Sequence, residues 1–202
     1  MGEGILNKTA YDFSKKSNII QTIIIALLAL LVPTFLAQGI QMIFGKTSVI
    51  TQNSQLIVGS IVNTALIISA INLKGWKKIA FIVTMPSIST ILSGYVFKSA
   101  SPFMVYMIPA IWLGNFVLVY AYKYIMVAKE KNYFIAGVIG VILKVAIIFG
   151  VFSILNAFNI FPEKVVAVFQ KAMGLSQLIT ATIGMILAFL IYKIEEKSKT
   201  ES

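Results

Sequence analysis

The chain has 202 residues, of which 58% are hydrophobic and only 12% charged, with a mean hydropathy of +0.91; a soluble domain carries roughly a quarter of its residues as charges. That balance excludes an ordinary water-soluble domain and makes lipid the solvent for most of the chain. The formal charge of +10 comes from 17 lysines against 7 acids, with no cysteine or histidine, so disulfides, thiolate-held clusters and the usual zinc, copper and haem ligand sets are excluded. The lysines fall in small groups between apolar runs, and no arginine accompanies them. This is the pattern of a membrane-topology signal rather than of the contiguous basic face that binds nucleic acid.

Residues 1–18 are polar, and the apolar run after them is too long for a signal-peptide core, so a cytoplasmic tail without a cleavable leader is expected here. A hydrocarbon core of about 30 Å needs about 20 helical residues. Six segments meet or approach that length, at 19–44, 56–73, 79–97, 103–125, 133–158 and 172–194, followed by a second polar tail at 195–202. Lys144 apart, the lysines divide as 12 on the side of the two tails against 4 (Lys46, Lys98, Lys164 and Lys171) on the other. The richer side is expected to be cytoplasmic, with both termini inside. The fold expected is an all-α membrane protein, a compact bundle of six transmembrane helices.

Along the first span Ala26, Ala29, Pro33 and Ala37 form a stripe of smaller residues that suits another helix, from this chain or from a partner. Small residues also recur at four-residue spacing in Ala110 with Gly114, and in Thr180 with Gly184 and Ala188. The connections at 45–55 and 159–171 are longer than those at 74–78 and 128–132. They fit either ordinary linkers or segments folded over an outer cavity.

The third span is broken by Pro86 within Thr84-Met-Pro-Ser-Ile-Ser-Thr-Ile-Leu-Ser-Gly. Kinked backbone at that depth is tolerated beside a water-filled cavity or where it is buried in protein, so a solute path and a plain proline kink both fit. Lys144 lies near the middle of the fifth span, where a lysine costs about 2.5 to 3.5 kcal/mol to insert. No Asp or Glu lies within any span to pair with it. An anionic ligand, a structural bond to amides or carbonyls, and proton transfer on the amine all fit this position. Asn63, Asn115, Gln177 and Thr180 lie at matching depths and suit either one binding cavity or interhelical hydrogen bonding. Trp112 is placed to wall that cavity or to pack beside it.

Paired intramembrane acids, a histidine base and clustered metal-holding acids are all missing, which argues against membrane proteolysis and lipid phosphotransfer. The chain also has no G-x-x-x-x-G-K loop for ATP. No enzyme activity and no cofactor are expected.

Three passages resemble the substrate-binding S components of energy-coupling factor (ECF) transporters: Ile108-Pro-Ala-Ile-Trp-Leu-Gly-Asn, Val141-Ile-Leu-Lys-Val and Met173-Gly-Leu-Ser-Gln-Leu-Ile-Thr-Ala-Thr-Ile-Gly. Size, span count and orientation resemble that family as well. The resemblance implies a prokaryotic plasma-membrane protein that captures a vitamin or similar micronutrient from outside. It also implies docking to a transmembrane coupling subunit and two cytoplasmic ATPases. The family docks through Ala-x-x-x-Ala on its first span, where this chain has Ala26 and Ala29, one residue short. The substrate residues expected are Lys144, Asn115, Asn63, Gln177, Thr180 and Trp112, and the solute is small and anionic. The competing expectation is a non-catalytic scaffold or assembly subunit of a larger membrane complex; a self-contained transporter or channel is a further one.

Overall fold

The computed structural model describes residues 4–11 and 14–200. Parts of the expected tails, residues 1–3, 12–13 and 201–202, lie outside the described residues. Helices α1 (Lys15–Leu31) and α2 (Ala37–Phe44) are joined through a π-helical turn, Val32–Leu36. A short α3 (Val49–Gln52) precedes α4 (Ser54–Asn72) and α5 (Trp76–Ser93). A 3-10 segment, Lys98–Met107, runs into α6 (Ile108–Ala121) and a second π-helical stretch, Tyr122–Ala128. Then follow α7 (Tyr133–Ala157), α8 (Glu163–Met173) and α9 (Leu175–Thr200), and no strand occurs among the described residues.

Five stretches are long and apolar enough to cross a membrane: Lys16–Phe44, Ser54–Asn72, Lys98–Ala128, Tyr133–Ala157 and Glu163–Ser198. Helix α5, expected as the third span, is not among them. Its 18 residues give about 27 Å of rise, but Lys77, Lys78 and the serine and threonine residues of its second half lower its apolar content.

Local chemistry explains where the helices depart from the expected bounds. Pro33 brings no N–H to the helix ladder, and the backbone widens into a π-turn there. Across that turn Ser89 Oγ donates to the Leu30 carbonyl at 2.5 Å and shares a 2.8 Å hydrogen bond with Thr34 Oγ1, pinning α1 to α5. Helix α5 stops at Gly94, whose φ of 69° is a left-handed cap, short of the expected end at 97. The connector expected at 159–171 instead contains α8. Glu163 opens that helix after Pro162, Lys171 stands in its last turn, and Val165, Phe169, Ala172 and Met173 bury one face. Helix α9 continues through the expected tail to Thr200.

At the Asn72 end, hydrogen bonds between side chains and backbone tie four helices together. Asn72 Nδ2 donates to both carboxylate oxygens of Glu195 at 3.0 and 2.9 Å, Asn18 Nδ2 donates to the Asn72 carbonyl at 2.9 Å, and Lys78 Nζ donates to Asn18 Oδ1 at 2.8 Å. The Ile5–Asn7 3-10 turn packs there too, through bonds of 2.9 Å from Ala10 N to Ile71 O and 3.1 Å from Gly75 N to Leu6 O. Lys123, expected as an end lysine marking topology, is 0% exposed. Its ammonium donates to the carbonyls of Lys8 and of Leu73, the latter at 2.7 Å.

The stripes of small residues pack within the chain. Ala29 is 1% exposed and belongs to the core, whereas Ala26 is half-buried beside a groove lined by Lys77, Lys78 and Phe81. Helices α4 and α9 approach closely because Gly59 and Gly184 face one another's helix: a Cβ at Gly184 would lie 2.5 Å from Asn63 Cβ, and one at Gly59 would lie 2.9 Å from Thr180 Cγ2. On α7, Gly150 has nothing within 4 Å of a Cβ. Gly184→Ala is therefore expected to lower stability by about 1 to 3 kcal/mol through overpacking, whereas Gly150→Ala is neutral or slightly stabilising. Unfolding of the purified variants in mixed micelles checks the pair, and equal midpoints for the two would remove the close-approach argument.

Candidate functional site

The buried apolar side chains form two clusters. One, around Leu66, Ile71, Ile79, Leu118 and Tyr122, fills the Asn72 end; the other, around Phe97, Met104, Phe152, Phe161 and Phe169, fills the Gln55 end. A cavity lies where they meet, and its walls mix amide, hydroxyl and ammonium groups with apolar side chains such as Val58, Val62 and Ile111.

Each wall follows from its helix. On α7, Lys144 is 3% exposed and reaches across to α4, where its Nζ donates to Asn63 Oδ1. Asn63 is held in turn, because its Nδ2 donates to Gly59 O at 2.9 Å and to Thr180 Oγ1 at 3.3 Å. Thr180 Oγ1 donates to Gln177 O at 3.2 Å. A relay therefore runs from the ammonium through α4 into the first turns of α9. Helix α6 lies close to α7 at Gly114, where a Cβ would meet Ile148 Cγ1 at 2.8 Å and the Lys144 carbonyl oxygen at 3.2 Å. The next residue, Asn115, lies in the cavity wall.

Helix α5 supplies the opposite wall. Pro86 lacks the N–H that would close the ladder in the middle of α5. Two donors from α6 meet this region: Asn115 Nδ2 bonds the Val83 carbonyl at 3.1 Å, and Trp112 Nε1 bonds Ser87 Oγ at 2.7 Å. The helix runs on unbroken past Pro86, and these two bonds tie its middle to α6.

Lys144, Asn63, Asn115, Gln177 and Thr180, singled out from the sequence, all line this one cavity. Trp112 does not; it supports Ser87, which does. The remaining wall residues include Gln55, Ser87, Thr90, Phe97 and Met104. Ser87 and Thr90 carried a signal in the polar tract around Pro86. Gln55 and Phe97 carried none, since they stand at span ends where a glutamine or phenylalanine is unremarked.

The centres of water molecules can range over about 80 Å³ of this cavity, enough space to hold water. No carboxylate lines it. An ammonium has three donors, and Asn63 is the one hydrogen-bond partner of Lys144 among the described residues, which leaves two N–H groups for the cavity. Such a site attracts an acceptor-rich or anionic group and repels a cation.

Comparison with protein-family models, with curated proteins and with solved structures finds no match for this chain. The functional reading rests on the geometry.

If Asn63 holds the ammonium, Asn63→Leu leaves a buried charge with no protein acceptor and is expected to destabilise by about 1 to 3 kcal/mol or more. Lys144→Met in the same background is expected to recover most of that loss, because the charge is removed with its partner. A double-mutant cycle on unfolding free energy measures this, and strict additivity would show that the two side chains do not interact.

Proposed function

We propose that this chain is the substrate-binding S component of an ECF-type uptake transporter, capturing a small anionic micronutrient, a vitamin or a similar carboxylate, from the outer side. The observation that carries the reading is Lys144: a cation 3% exposed, with no acid beside it and one protein partner, in a cavity whose walls carry amides and hydroxyls among apolar side chains. Intramembrane ionisable groups of this kind mark solute sites by default.

In this reading α5 is the sixth crossing. Its lysines stand in its first turn, at the interface, and its serine and threonine face is turned to the cavity, so its lower apolar content belongs to a helix that meets protein more than lipid. Both termini are then cytoplasmic, the Gln55 end faces outward, and the membrane is the plasma membrane of a prokaryote. The chain itself does not hydrolyse ATP; a transmembrane coupling subunit and cytoplasmic ATPases supply the work. Docking uses the first span, where Ala26 borders an open groove and Ala29 does not, so the contact centres on the Ala26 side. A ligand of vitamin size exceeds the space as it stands, since pockets for such molecules run to several hundred Å³, and its entry requires the Phe97 side to move outward.

A second reading, a non-catalytic scaffold or assembly subunit of a larger membrane complex, is favoured by one observation. Asn63 already accepts from Lys144 and is itself held by Thr180 and Gly59, as it would be if the lysine only ordered α4 against α7.

Native mass spectrometry of the detergent-purified chain, with release and identification of any bound molecule, separates the two. The binding-subunit reading expects a stoichiometric acidic small molecule in the wild type and its loss, about tenfold or more in occupancy, in folded Lys144→Met. A ligand retained unchanged in that variant would sink the role of Lys144. Wild type isolated without ligand but in stable association with other membrane proteins would favour the scaffold.

A further inference from the structure

Above the internal cavity, at the Gln55 end, lies a second and wider space. Water centres range over about 380 Å³ there, between α3, the first turn of α4, the Val96–Ser99 stretch, α8 and the start of α9. The two spaces share three wall residues, Gln55, Val96 and Phe97. Phe97 is buried and sits edge-on to Phe169 at 6.1 Å. The turn carrying it is fixed by Gly94 at φ 69° and Lys98 at φ 50°, with Lys98 N bonded to Gly94 O at 2.9 Å. The two spaces are therefore neighbours, meeting at Gln55, Val96 and Phe97.

The chemistry of this outer space is one-sided. Lys98 and Lys171 line it, and no acid does. Lys171 Nζ donates to Asn53 Oδ1 at 2.9 Å, which holds one ammonium against the vestibule wall and leaves two of its donors unspent. Ser176, 3% exposed, also lines the space, and its hydroxyl makes no hydrogen bond among the described residues. Two long helices begin at this wall, α4 with Gln55 and Leu56 and α9 with Ser176, so their positive ends add to the field of the lysines. Lys46 and Lys98 line a neighbouring depression, again without an acid.

We propose that this vestibule is a second anion-binding station, distinct from the Lys144 cavity, that holds a small carboxylate- or phosphate-bearing solute between Lys98, Lys171 and Ser176. Its purpose, loading the inner cavity, rests on the uptake reading; its geometry does not. A vestibule lined by charge of one sign concentrates counter-charged ligands and raises their rate of arrival, and added salt weakens the effect. An anion held here lies beside the residues that also line the Lys144 cavity, so the two stations form a path of single sign from the outer surface to the centre of the bundle.

The test uses the full chain in a neutral detergent, with trifluoroacetate as the carboxylate probe followed by fluorine-19 NMR. Four proteins are compared: wild type, Lys98→Gln/Lys171→Gln, Lys144→Met, and the triple variant. The expected result is a saturable, salt-sensitive shift that survives Lys144→Met, falls about tenfold or more in affinity in Lys98→Gln/Lys171→Gln, and is abolished in the triple variant. Both substituted lysines of the double variant are exposed, so its fold is preserved, and an unchanged circular dichroism spectrum verifies this. Three outcomes overturn the proposal: no saturable shift in wild type, complete loss of the shift in Lys144→Met alone, or a shift indifferent to the Lys98 and Lys171 substitutions. Binding that survives Lys144→Met unchanged and vanishes in the double variant keeps the vestibule while removing the inner site.

Discussion

One lysine without an acid organises the centre of this molecule. An ammonium removed from water must find oxygen acceptors, and Lys144 finds one, the Asn63 amide. Because an amide has both an acceptor and a donor end, fixing Asn63 Oδ1 on the lysine aims its Nδ2 at Gly59 O and Thr180 Oγ1. The rotation of α4 about its axis and the seating of α9 against it are thereby linked to the position of a charge on α7.

That linkage depends on backbone approach. Side chains as short as asparagine and threonine bridge two helices only when the helices nearly touch, and in lipid the residues that permit contact are small ones. Gly59 and Gly184 provide it between α4 and α9, and Gly114 provides it between α6 and α7. The middle of α5 belongs to the same design, since Asn115 and Trp112 from α6 bond the Val83 carbonyl and the Ser87 hydroxyl on either side of Pro86. Packing and polarity are therefore one constraint here: the glycines set the distances at which the polar layer closes.

The apolar runs made the crossings legible, because 20-residue stretches without charge have few other uses. They misread the amphipathic α8, whose buried Val165, Phe169, Ala172 and Met173 keep a helical period. The signal was present in the Pro162, Glu163 and Lys171 pattern, but it is too short to satisfy a criterion of length. The polar members of the inner cavity were legible through depth alone, since residues at the same height in an apolar bundle have only one another to bond. Which of them meets Lys144 was not, because a partner is chosen by helix rotation, and a rotation is set by contacts such as that of Gly184 with Asn63 that no single segment encodes. The long connections at 45–55 and 159–171 left an outer cavity open as one reading, but its lysine pair was not legible for the same reason: Lys98 and Lys171 are 73 residues apart and come to line one space only through the folding of α8.

Two lysines of this chain are buried to nearly the same degree and are satisfied in opposite ways, and the contrast decides how each is to be read. Lys123 gives its protons to two backbone carbonyls, those of Lys8 and Leu73, and in doing so fastens the N-terminal segment to the Asn72 end; its surroundings are protein on every side. Lys144 donates one hydrogen bond to a side chain and turns the rest of its ammonium toward a cavity whose walls include amides and hydroxyls. A group needed only for structure gains nothing by facing a cavity, since each unmet donor in a low-dielectric interior costs stability. Water, or the acceptors of a ligand, can meet those donors in the cavity beside Lys144, and the binding reading proposed above rests on that opening. The sequence separates the two lysines by depth, Lys123 as an end lysine and Lys144 as an intramembrane one; the fold adds the acceptors, two backbone carbonyls for the first and one amide beside a cavity for the second.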